Sequence, residues 1–181
     1  HALATNQADY GQYVQLNIRR QNPFMLFSID DMRSFIRIAR RRMTRTLRAH
    51  VAFRHSRARM TTFAGRICTM YDDLPNVCPD LVYVDGPSQH SAVGAVNGVT
   101  TAHLDRLPMS GDLLAIEHFL LPGTMVIIDG RGANARFLRC NLQRNWFCSY
   151  DADDDFHAFE LRESPLGSYN RTHLSWALGE A

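Results

Sequence analysis

Pro79-Asp80-Leu81-Val82-Tyr83-Val84-Asp85-Gly86-Pro87 and Gly123-Thr124-Met125-Val126-Ile127-Ile128-Asp129-Gly130-Arg131 each carry a short apolar run straight into Asp-Gly, with a helix-like stretch between them. A run without polar alternation fits a strand covered on both faces, the kind from which parallel sheets are built. The carboxyl end of such a strand is where open α/β sheets bind ligands. One Asp-Gly is ordinary turn chemistry. Two copies at matching strand ends point to a functional edge.

Working outward, residues 2–20 read as a helix with Leu3, Tyr10, Tyr13, Val14 and Ile18 facing inward, ended by Asn22-Pro23. Residues 24–29 read as a strand stopping at Asp30-Asp31, followed by an arginine-rich helix. Residues 51–53 and 66–70 are short strands. Ser110 caps a helix to about residue 121, with Leu113, Leu114, Ile116 and Leu120 inward and Pro122-Gly123 as the stop. Residues 133–144 form a further helix. Residues 146–150 and 156–161 flank the acidic turn 151–155 as an antiparallel hairpin, with Trp146, Phe147 and Phe156 in its core. The tail leaves through the turn-rich stretch 165–170. The expected fold is α/β: a Rossmann-like, mostly parallel sheet flanked by helices, with a C-terminal antiparallel hairpin, in a single domain spanning 1–181.

Composition narrows the function classes. No apolar run is long enough to cross a bilayer, and Cys68, Cys78, Cys140 and Cys148 show neither a CxxC pair nor zinc spacing. A cytoplasmic, reducing setting is expected, without structural zinc or membrane partner. No P-loop, HExxH or GxSxG is present. Residues 1–66 hold 13 Arg against 3 acids, while the remainder holds 7 Arg against 15 acids, and the chain has no Lys. In the densest part, residues 33–48, Met32, Phe35, Ile36, Ala39, Met43 and Leu47 share roughly one helical face, which leaves the arginines toward solvent. A solvated face is favoured over a surface for nucleic acid or another polyanion.

Phe27-Ser28-Ile29-Asp30, the VYVDGP and VIIDGR strand ends, and the terminal hairpin with Phe159-Glu160-Leu161 resemble the class I S-adenosylmethionine-dependent methyltransferases over most of the chain. The resemblance implies a transferase that moves a methyl group from S-adenosylmethionine to a small polar or carbohydrate-type acceptor. It implies that Asp30, with Asp31 as the alternative, binds the cofactor ribose, and that Asp85 contributes at the next strand end. It also implies a first strand and an acidic glycine-rich loop ahead of residue 1, lying between the strands that end at Asp30 and Asp85, so a truncated chain is expected. A non-catalytic interaction module working through its arginine-rich helix is the other reading.

Methyl transfer asks for alignment of a nucleophile with the sulfonium methyl and removal of its proton. Asp85 and Asp129 lie at the reacting edge, and His90, in the loop after Asp85, is the nearest candidate general base. Arg131 and Arg136 are candidates to clamp a substrate phosphate or carboxylate, with Arg106 on the long loop that overhangs the edge. Asp85, Asp129 and Asn134 are oxygen donors suited to a hard cation such as Mg²⁺. Metal-dependent catechol-type methyltransferases place acids after the equivalent strands, though their Asp-Asn pair is Asp129-Gly130 here.

Overall fold

The protein is described by a computed structural model at residues 26–104 and 109–177. The expected helix over 2–20 and Arg106 lie outside these residues. The chain divides into two compact units, one formed by residues up to Arg57 with Tyr71–Pro75, the other by Ala58–Met70 and residues from Asn76 onward.

In the first unit, β1 (Leu26–Asp30) and β2 (Val51–His55) pair in parallel, from Leu26 opposite Val51 to Asp30 opposite His55. The crossover holds α1 (Arg33–Arg42) and the single turn α2 (Arg45–Arg48). The first turn of α1 contains no acid, and the Asp30 carboxylate instead accepts the Met32 N–H at 2.6 Å. Arg40, Arg41 and Arg42 fill the last turn, where cations suit the helix dipole. Thr44 caps α2 by accepting the Leu47 N–H at 3.3 Å. Ile36, Ala39, Met43 and Leu47 are half-buried as the periodicity predicts, but Met32 and Phe35 are exposed and no residue of α1 is fully buried.

In the second unit, β3 (Ala58–Phe63) and β4 (Arg66–Tyr71) are joined by Ala64-Gly65, both at positive φ. That is the backbone twist a two-residue hairpin turn requires. A four-stranded sheet follows in the order β5 (Leu81–Val84), β6 (Met125–Asp129), β8 (Phe156–Leu161), β7 (Trp146–Asp151). β5 and β6 are parallel, whereas β8 is antiparallel to both β6 and β7, so the C-terminal hairpin forms where the sequence places it. α3 (Asp112–Ile116) runs into a 3-10 turn at Glu117–Phe119, shorter than the expected helix to residue 121. α4 spans Gly132–Arg139, and α5, Ser168–Ala177, orders much of the tail.

The expected Rossmann-like, mostly parallel sheet is therefore not what the chain forms. The described strands make separate sheets of two, two and four strands, and those ending at Asp30 and Asp85 belong to different sheets. Local apolar runs identify strands but not partners: β8 takes the second edge of β6, and β3 and β4 take each other. Nor is the four-stranded sheet covered on both faces. Val126, Ile128 and Phe159 are buried on one side with Leu113, Leu114 and Leu138, while Tyr83, Met125 and Phe147 remain 39–47% exposed on the other. Phe147 thus leaves the expected core, and the Arg162 guanidinium covers its ring at 3.7 Å.

Two devices fix this unit. Glu117, 3% exposed, accepts the Gln143 N–H, the Arg144 N–H and the Trp146 indole N–H on one oxygen, each at 2.9 Å. Arg144 donates to the Glu117 and Leu120 carbonyls at 3.0 and 2.6 Å and grips Glu163 through both Nε and Nη2. A buried carboxylate survives only with such compensation. At Gly123, φ is +89° and an added Cβ would lie 2.0 Å from Leu174 Cδ2, so only glycine lets α5 approach this turn.

Candidate functional site

The candidate edge in the second unit begins where β5 and β6 end. Period-two alternation places Tyr83 and Asp85 on one face of β5, and the register sets Tyr83 beside Ile127, one pleat from Asp129. The Tyr83 hydroxyl donates a short hydrogen bond to the Asp129 carboxylate. That bond, then burial and the charges of Asp129 and Asp85, push the Tyr83 phenol up to about 12, so it stays a donor at neutral pH. Asp85 is exposed, and its carboxylate lies 3.7 Å from Arg131 Nε.

Arg131, read from sequence as a substrate clamp, is engaged within the protein. It donates to the Asp85 carbonyl at 2.5 Å and to the Pro87 carbonyl at 2.9 Å, which ties the loop after β5 to the start of α4. Arg136 is exposed on α4. His90 is exposed, its backbone N–H bonded to Ser88 Oγ at 3.4 Å, and no hydrogen bond joins it to Asp85 or Asp129. The long loop that follows is pinned: Val93 exchanges backbone bonds with Ala58 and Met60 of β3 at 2.9 Å. This bridge ties the start of the loop to β3.

Gly130, at φ +56°, donates its N–H to the Asp155 carbonyl at 2.9 Å and fastens the end of β6 to the hairpin turn. Tyr150 donates to Asp155 at 3.0 Å and stacks on His157 at 4.5 Å between ring centroids. The bond to Asp155 holds the Tyr150 phenol above its ordinary value. Tyr83 with Asp129, and Tyr150 with Asp155 and His157, are two polar groups that sequence reasoning missed apart from Asp129, and the register sets Tyr150 and His157 beside Ile128, on the other face of the sheet from Tyr83. The strand alternation carried the signal for Tyr83, and the pairing of His157 with Tyr150 follows only from the hairpin register.

No family model, curated protein or solved structure matches this chain.

The donor set does not suit a hard cation. Asn134 is 2% exposed, and its carbonyl oxygen already accepts the Ser110 N–H at 2.5 Å. That bond has a structural purpose: Thr69 holds one edge of residues 109–111 by backbone bonds to Met109 and Gly111, and Asn134 holds the other. Asp129 is occupied by Tyr83 and Asp85 faces Arg131. Among the described residues no three His, Cys, Asp or Glu side chains converge as metal ligands.

In the first unit the two acids at the end of β1 separate in role. Asp30 closes a turn ahead of α1 by accepting the Met32 N–H. Asp31 has its carbonyl bonded to His55 Nε2 at 3.1 Å, while its carboxylate oxygen Oδ2 is buried with no hydrogen-bond partner. An uncompensated buried acceptor is costly and rare, and it marks a place where a donor would be welcome. No helix among the described residues is long and apolar enough to cross a membrane.

Proposed function

We propose that the protein transfers a methyl group from S-adenosylmethionine to a small polar or carbohydrate-type acceptor. The observation that carries the reading is the orphaned Asp31 carboxylate oxygen at the end of β1. Vicinal hydroxyls of a ribose are the donors that a strand-end carboxylate takes in nucleotide-binding folds. The bond of Asp30 to the Met32 N–H leaves Asp31 as the stronger candidate of the pair.

The cofactor, when bound, supplies an electrophilic methyl group on a sulfonium. The remaining work belongs to this chain. In the second unit, Asp129, held by the Tyr83 hydroxyl, is a carboxylate able to accept a hydrogen bond from an acceptor hydroxyl. Tyr83 stays protonated and stabilises the carboxylate that holds the nucleophile. Arg131 fixes the loop after β5 through the Asp85 and Pro87 carbonyls and so sets the wall against which an acceptor is positioned.

Calorimetric titration of S-adenosylhomocysteine into the natural protein tests the reading. Micromolar binding supports it. Absence of binding by protein with a normal circular-dichroism spectrum would remove it.

A further inference from the structure

The most basic part of the molecule is a groove within the first unit. Arg33, Arg37, Arg40, Arg41 and Arg48 line a cavity of about 520 Å³ together with Ile36, Phe53 and His55. The spacing of 33, 36, 37, 40 and 41 is that of one helix face, so α1 presents four guanidiniums along the same wall. The arginines are exposed, as the periodicity predicts, and this face looks across the groove to β2, where Arg40 lies 5.7 Å from the centre of the Phe53 ring. None of the five pairs with a described carboxylate, and Arg48 has only the Met43 carbonyl, at 3.3 Å. In the same unit Arg54 does have a partner, Asp73, at 3.1 Å.

Five like charges around one cavity repel one another, and the lining offers no acid to offset them. We propose that this groove binds a nucleoside di- or triphosphate, with its contiguous phosphates on the arginines and its apolar part against Ile36 and Phe53. Charge selects the class. A single carboxylate would leave most of the guanidiniums uncompensated, whereas a chain of phosphates offers several charges and oxygens matched to the planar guanidinium fork. Size selects the rest: sites for small organic ligands occupy about 300–1,000 Å³, far more than one phosphate needs. His55 adds a ring nitrogen at the same wall. The inference is independent of the methyl-transfer reading, which uses the Asp31 carboxylate and no phosphate.

The test is a set of calorimetric titrations at fixed ionic strength with ATP, inorganic tripolyphosphate and citrate, and a 20-nucleotide single strand for competition. ATP is expected to bind more tightly than tripolyphosphate, and both more tightly than citrate by tenfold or more. Arg37→Ala and Arg40→Ala should each weaken ATP at least tenfold, while Arg139→Ala on α4 leaves it unchanged. Circular dichroism of each variant confirms folding, as expected for exposed side chains. Equal binding of citrate would reduce the groove to unspecific charge and overturn the proposal. So would ATP binding that ignores both groove substitutions, no binding of ATP, or tight oligonucleotide binding that ATP fails to displace.

Discussion

Glu117 with Arg144 and Glu163, and the arginine groove beside β2, use the same charged chemistry to opposite ends. In the first, every charge meets a fixed partner: one oxygen of Glu117 takes three donors, and Arg144 spends its guanidinium on two carbonyls and a carboxylate. In the second, five guanidiniums share a cavity without a described acid. Satisfied charges hold elements in place. Unsatisfied ones of a single sign store a preference for a ligand. The difference lies in what surrounds each side chain, which no local sequence pattern records.

The largest effect should come from breaking the satisfied region. Glu117→Ala leaves three donors without their acceptor in a buried setting, and we expect a loss of about 3–5 kcal/mol. Urea unfolding with an unchanged slope would measure it. A loss within the range of ordinary surface substitutions would mean that Glu117 is not the compensated hub described.

A smaller, pH-dependent effect belongs to Glu163. Its hydrogen bonds from Arg144 hold its carboxyl below the ordinary value of 4.5. A lowered carboxylate adds stability that is present above the unfolded-state value and lost as pH falls through the folded one. Glu163→Gln should therefore be less stable than the parent at neutral pH, and the two stability curves should converge as pH falls below about 4.5. Parallel curves down to low pH would remove the ion pair from the account.

The acids at the end of β1 sharpen the comparison within a single dipeptide, because one is satisfied and the other is not. Asp30→Ala removes the acceptor of the Met32 N–H and should cost about 1 kcal/mol in thermal unfolding, the usual net worth of one hydrogen bond. Asp31→Ala removes an orphaned acceptor and should leave stability unchanged or raise it. The reverse order would exchange their roles. Smallest of all, Arg37→Ala in the groove should leave the midpoint of thermal unfolding unchanged at physiological salt and raise it at low salt, where repulsion is least screened. A lower midpoint at low salt would show that Arg37 is paired after all.

Much of the element list was legible in the sequence. The apolar runs into Asp85 and Asp129 are strands, and the aromatic segments around turn 151–155 are an antiparallel hairpin. Pairing was not legible, because a run such as Val126-Ile127-Ile128 says that a strand is apolar but not that β8 will occupy its second edge. The hairpin β3–β4 was half missed, although Ala64-Gly65 between alternating segments was its signal. At the candidate edge, Asp85 and Asp129 were named correctly as strand-end acids. The bond between Tyr83 and Asp129 was not foreseen, because it joins residues on two strands whose register had to be known first. Arg131 and Asn134 were assigned outward roles, and both turn inward to backbone groups. Long side chains at strand and helix ends satisfy nearby carbonyls and N–H groups first, and sequence cannot show that those groups are within reach.

The most direct test of the methyl-transfer account sets the two neighbouring acids against each other. S-adenosylhomocysteine would be titrated into the natural protein and into its Asp30→Asn and Asp31→Asn variants. The account expects micromolar binding that falls at least tenfold in Asp31→Asn and changes little in Asp30→Asn. Binding that is absent in the parent, or that Asp31→Asn leaves intact, would contradict it.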